Sequence, residues 1–436
     1  TVRQLTLDAG DQLIQNNGLT LTIAGSGGAA SLINAGLYTL NSAGTNTTLA
    51  AGSNHLMISG GGTITTVGAA RFTGTGTLTN IDNTIRGGGT IGGNAIAIYN
   101  QSAILADAAG MTLDPEPTVG LTNTGALRAV NAGSLVLSGN GGGDFVNTLG
   151  SIIADDGARV ILTNARVIGG TLSSSGSGYV EVQVGTLSGI TNAGRIVSVN
   201  NSDTYLVGTV TNLGTWTIAG TSSATDILVR GGSVTLVGSG VVQMENPAAQ
   251  FAGSGTLHNA STIRGVGHLG VNAIGIVNSA TIAASGGLLT LDPGAGTLGS
   301  GFVNTGRLSA EDGGILALSG NGGGTVDNAS GTIEALDGGN VRLTTSASLA
   351  GGTLTRTGAG YVEVPSGHTA TFIDVTDLGR VVVQDSANAY FAGTITNHGE
   401  WQIAGTSTAT DLYVQDAATL NGNGTFNMTN PNGIWQ

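Results

Sequence analysis

Cysteine is missing from all 436 residues, and so is lysine. The first absence excludes disulfide frameworks and thiolate metal centres. The second excludes a phosphate-loop lysine, a Schiff base and a lysine isopeptide cross-link. Aromatic residues are scarce at 4%, so the core is not expected to rest on large rings. Charged residues make up 9% of the chain, against roughly 25% in an ordinary domain. No apolar run approaches the roughly 18–20 residues needed to cross a bilayer. The 13 basic residues are all arginine, and with 26 acidic ones they give a net charge of −13. Such a chain has no basic footprint for a nucleic-acid backbone and no attraction to anionic lipid. Neither nucleic-acid binding nor membrane insertion is expected.

Glycine dominates what is present, with 77 residues. Disorder and flexible linker are excluded because β-branched and aliphatic residues recur at regular spacing between the glycines. Two nested repeats account for that spacing. The long period is roughly 180 residues. Thr84-Ile85-Arg86-Gly87 returns as Thr262-Ile263-Arg264-Gly265, and Leu113-Asp114-Pro115 as Leu291-Asp292-Pro293. GYVEV from Gly178 returns from Gly360, and Trp216 in WTIAGTSSATD matches Trp401 in WQIAGTSTATD. These matches divide the chain into a segment 1–50, module one at 51–230, module two at 231–415, and the start of a third copy at 416–436. A third copy that stops at Gln436 is expected to belong to a longer array.

The short period is roughly 20–24 residues, and its phrase is Asn-x-Gly-x-(Ile/Leu)-x-Ala followed by Gly-x-x-(Leu/Val)-x-Leu. It reads NTGALRAVNAGSLVLSG from Asn123 and NTGRLSAEDGGILALSG from Asn304. Each phrase holds short stretches of strict apolar/polar alternation, the period of a strand. In one such stretch Leu135 and Leu137 share a face and Val136 takes the other. Glycine, asparagine and aspartate separate the stretches, as turns require. A unit this short cannot bury its own apolar face, but stacked units can. The expected fold is all-β, a parallel β-helix of about 18–20 coils at strand spacing. The recurring asparagines Asn123, Asn147, Asn192, Asn212, Asn278, Asn304, Asn328 and Asn397 are expected to mark one corner, with their amides hydrogen-bonded up the stack.

FVNTGRLSAEDGGILALSGNGGG from Phe302 resembles the passenger β-helices of bacterial autotransporters and filamentous-haemagglutinin-like exoproteins. The likeness covers most of the chain and lies in repeat style, with no catalytic signature. It implies a right-handed β-helix, a secreted or cell-surface location, and a role as adhesin, matrix protein or self-assembling surface layer.

Catalytic and metal-binding constellations are sparse. His55, His258, His268, His368 and His398 are scattered, and His258 and His268 are expected to face different sheets. Glu181 and Glu363, outward in the two GYVEV copies, lie a whole module apart and cannot form a carboxylate pair. Asp155, Asp156, Glu311, Asp312 and Asp337 sit among glycines and read as solvated turn residues. Calcium at such turns lacks the supporting glycine–aspartate repeat, so no cofactor is expected. Trp216 and Trp401 are either core plugs or contact aromatics for a glycan or a neighbouring copy. The expectation is a non-catalytic, rod-like extracellular component that self-associates, with an adhesin for a glycan or cell-surface receptor as the alternative and a polysaccharide-active enzyme third.

Overall fold

The computed structural model describes all residues except 25–29, 53–54, 222, 295–300, 322–324, 407, 416, 429–432 and 436, and for 108–109 and 433–435 it describes the backbone alone. The chain is an all-β parallel solenoid of about 18 turns of roughly 23 residues each, with no helix among the described residues. It divides into two compact units, Thr1–Tyr205 with Thr209–Thr215, and Leu206–Gly208 with Trp216–Gln436.

One coil of the first unit shows how the sequence builds a turn. Leu121–Asn123, Ala126–Val130 and Ser134–Ser138 are its three strands. The next coil repeats them as Asp144–Val146, Ser151–Ala154 and the start of Arg159–Ile168. Each strand pairs in parallel with its own counterpart, so Leu127 lies over Ile152 and Leu137 over Leu162. Alternation then decides what is inside. Leu135 and Leu137 are fully buried, while Val136 between them faces out. Each buried aliphatic side chain contributes roughly 1.5–3 kcal/mol relative to an exposed one. No single coil contains enough of them to offset the entropy of ordering roughly 23 residues.

The second unit uses the same plan. Phe302–Asn304, Arg307–Glu311 and Ile315–Ser319 stack on Thr325–Asp327, Thr332–Ala335 and Asn340–Thr344. Its later coils depart from the purely aliphatic core expected from composition. Phe372, Phe391 and Trp401 are fully buried and meet edge to face, with ring centroids 4.8–6.3 Å apart, and Phe426 packs 6.0 Å from Trp401. Low average aromatic content hid this cluster because four of the few rings are spent in one place.

The glycine of Asn-x-Gly is dictated by the neighbouring coil. A Cβ on Gly125 would stand 1.9 Å from the carbonyl oxygen of Ser102, and one on Gly306 2.2 Å from that of Ala280. Gly110, by contrast, has open space around it. Gly125→Ala and Gly306→Ala are each expected to cost about 1–3 kcal/mol through forced backbone shifts, and Gly110→Ala under about 0.5 kcal/mol. Urea denaturation midpoints of the three variants check this; equal midpoints would refute the close-approach argument.

Candidate functional site

The buried polar side chains are the first place to look for chemistry, because each requires a partner. Asparagine is the commonest type among them, and many of these asparagines sit at the ends of inward strand faces, where the aliphatic column gives way to a corner. In the first unit Asn80, Asn100, Asn123 and Asn147 stand in register, all at most 1% exposed. Each Nδ2 donates to the Oδ1 of the next coil's asparagine at 2.9, 2.8 and 2.7 Å. The second unit repeats the ladder through Asn259, Asn278, Asn304 and Asn328 at 2.8, 2.8 and 2.6 Å. An amide ladder is directional, so it leaves an acceptor at one end and a donor at the other. Asn80 Oδ1 and Asn147 Nδ2 are the two atoms left without partners.

The eight asparagines do not share one corner. Asn123, Asn147, Asn278, Asn304 and Asn328 close the first strand of a coil. Asn192 and Asn212 instead continue the inward column of Leu127, Ile152 and Leu172 at the end of the second strand. Asn397 occupies the same place in the second unit, in register with Asp377 and Leu354. One tripeptide therefore turns two different corners, and local sequence alone does not say which. Asn80, Asn100 and Asn259 extend the same ladders, although they lie outside the eight positions that the repeat phrase marks. Their signal is the asparagine that ends an alternating strand.

The carboxylates of the GYVEV copies are more covered than alternation implies. Val180 and Val182 point inward and Glu181 takes the outer face, yet Glu181 is 7% exposed and Glu363 4%. Arg159 Nη1 and Gln183 Nε2 donate to the two oxygens of Glu181 at 3.2 and 2.8 Å. Arg342 Nε and Gln384 Nε2 do the same for Glu363 at 2.6 and 2.8 Å. Both oxygens of each glutamate therefore accept a side-chain hydrogen bond in both copies. The turn acids are likewise engaged rather than merely solvated. Asp155 takes a two-pronged bond from Arg128 at 2.9 and 2.7 Å, and Arg307 reaches Glu334 at 2.6 Å. Glu311 and Asp312 bracket Arg264. Asp156 accepts the backbone N–H of Ser177 and Asp337 that of Ala359, each one coil on. Ser177 holds the Asp156 carboxyl below the usual carboxylate range.

His258 and His268 pair with different strands of the next coil, in register with Val277 and Thr290. His368 Nδ1 accepts the Thr345 N–H and His398 Nδ1 lies 2.8 Å from Asn423 Oδ1. Among the described residues no three histidine or acidic side chains converge as metal ligands, and no helix is long and apolar enough to cross a membrane. Trp216 and Trp401 are 1% and 0% exposed, so the reading of them as contact aromatics is corrected. Both fall on inward positions of alternating strands, where a large ring fills the coil interior.

Asp377 is the exceptional ladder member. It stands where the first module has Asn192, is fully buried, and accepts the Gly379 N–H at 2.9 Å through Oδ1. Its Oδ2 has no hydrogen-bond partner; the nearby Trp401 N–H helps to hold the pKa down but makes no bond of normal geometry. Burial pushes the carboxyl up to about 6, against the pull of the Gly379 amide and the Arg356 charge. A raised folded-state pKa means that the folded chain holds its proton to higher pH than the unfolded chain. Stability from this group therefore falls as pH rises from about 4 to about 6 and stays low above that. The shift corresponds to about 3 kcal/mol as an upper bound.

Two outcomes follow from the ladders. Asp377→Asn is expected to raise stability at neutral pH and to match wild type near pH 4, because an Asn amide can donate to Asn397 as Asn192 does to Asn212. Chemical denaturation across that pH range reads the difference, and a pH-independent difference would contradict the assignment. Asn123→Leu keeps the branching of the side chain but is larger and strands the Oδ1 of Asn147, and should cost at least about 1–3 kcal/mol in the same measurement.

No family model, curated protein or solved structure matches this chain.

Proposed function

We propose that the chain is a non-catalytic structural component of an extracellular surface, filament or matrix, of the kind built from autotransporter-like and haemagglutinin-like β-helices. The observation that carries this reading is where its ionisable side chains go. Arginine and acid pair from coil to coil in both units, at Arg128–Asp155, Arg159–Glu181, Arg307–Glu334 and Arg342–Glu363. Side chains that an enzyme would aim into a cleft here hold neighbouring turns together. Such partly exposed pairs are individually worth at most about 1 kcal/mol, so their value lies in fixing register along a stack. A sequence built of two related modules of similar length, low in charge and free of lysine, supports repetition and self-association over recognition of a single small molecule.

Electron microscopy of the purified chain tests this directly. Filaments or lattices with a regular repeat are expected at physiological salt. Monodisperse particles that bind a glycan array would replace the structural reading with an adhesive one.

A further inference from the structure

We propose that Tyr390 and Tyr413 form a site for oxidative phenol coupling, at which a peroxide-activated haem oxidant joins the two rings into an intrachain dityrosine. The strands Asn388–Ala392 and Thr410–Val414 pair in parallel with Tyr390 opposite Tyr413. Their ring centroids lie 4.6 Å apart with planes 12° from parallel. Ala389, Phe391 and Leu412 point inward and are fully buried, so both tyrosines occupy the outer face, each half-buried. Parallel register starts the two side chains from the same face of adjacent strands, and the stacked geometry places one ring face against the other.

The site also holds a proton acceptor. Tyr413 Oη donates to Asp411 Oδ2 at 2.9 Å. When the oxidant removes one electron from Tyr413, that carboxylate takes the phenolic proton. Tyr390 loses one electron and its proton to solvent. The two radicals couple through one new C–C bond between ring carbons ortho to the hydroxyls. Each coupled ring then transfers its remaining ring hydrogen to oxygen and regains aromaticity. In total two electrons and two protons leave, reducing one hydrogen peroxide to two waters. Stacking converts an encounter between two dilute radicals into a reaction between neighbours, the usual gain from proximity.

Three other tyrosines are engaged differently, and Tyr205, the counterpart of Tyr390 in module one, donates to Asp203 at 3.0 Å as Tyr413 does to Asp411. Tyr38 is buried and donates to Gln15. Tyr179 and Tyr361 carry the guanidinium groups of Arg195 and Arg380 at 5.5 and 5.9 Å from their ring centroids. In module one Leu228 stands where module two has Tyr413, so the pair belongs to the second copy alone. The bond would staple two consecutive coils immediately outside the Phe372–Phe391–Trp401 cluster.

The full chain is treated with hydrogen peroxide and a haem peroxidase, followed by dityrosine fluorescence, a denaturing gel and peptide mass spectrometry. The expected product is a monomer with Tyr390 linked to Tyr413, formed at a rate unchanged by serial dilution of the protein. Tyr390→Phe and Tyr413→Phe should each lose it, with unchanged circular dichroism because phenylalanine preserves the stacked rings. Three results would overturn the proposal. They are a product found only as interchain dimers, an intrachain product retained by either variant, and no dityrosine under conditions that couple free tyrosine amide.

Discussion

Parallel pairing of each strand with its own counterpart one coil away is the constraint on which the remaining structure depends. Equivalent positions are superimposed at strand spacing, so every side chain meets a neighbour from the same place in the repeat. Aliphatic residues commonly meet aliphatic residues and buried amides meet amides, although Leu172 gives way to Asn192 and Leu354 to Asp377 in the same column. A single mismatch affects two coils at once. This explains why the core reads Leu135 over Val160 and Leu137 over Leu162, and why the amides run unbroken from Asn80 to Asn147.

The same constraint separates two kinds of polar residue. Buried asparagines serve well in a ladder because an amide offers both a donor and an acceptor, so identical side chains satisfy one another. A carboxylate has acceptors only and cannot repeat. Asp155, Glu181, Glu334 and Glu363 accordingly stand off the inward column and pair with arginine, and Asp156 and Asp337 accept backbone N–H groups of the next turn. Asp377 breaks that division by occupying an amide position, and its raised pKa is the physical consequence. Substitution of Asn by Asp between otherwise matched modules introduces pH sensitivity into a motif that otherwise has none.

Aromatic residues follow the same logic on both faces of one region. Inside, Phe372, Phe391 and Trp401 replace aliphatic stacking with edge-to-face contacts, geometry favoured by the ring quadrupole. Outside, Tyr390 and Tyr413 sit as neighbours on the ladder and stack with planes 12° from parallel. Where module one has Leu187, Leu206 and Leu228, module two has Phe372, Phe391 and Tyr413. The second copy has thus thickened its core and acquired an external ring pair at the same coils.

The sequence by itself determined the fold class, the coil length and the inward set, since alternation and repetition are local properties and the parallel stack merely superimposes them. It also identified asparagine as a stacking residue. It did not reveal that Asn-x-Gly turns two corners, that Glu181 and Glu363 are covered, or that Trp216 and Trp401 are enclosed. Those depend on which strand of a neighbouring coil a residue meets roughly 23 positions away. The partners of Glu181 show the point: Gln183 is two residues along its own strand, whereas Arg159 belongs to the coil before. Register between coils is set by the packing of the whole stack, and only the tertiary structure decides it.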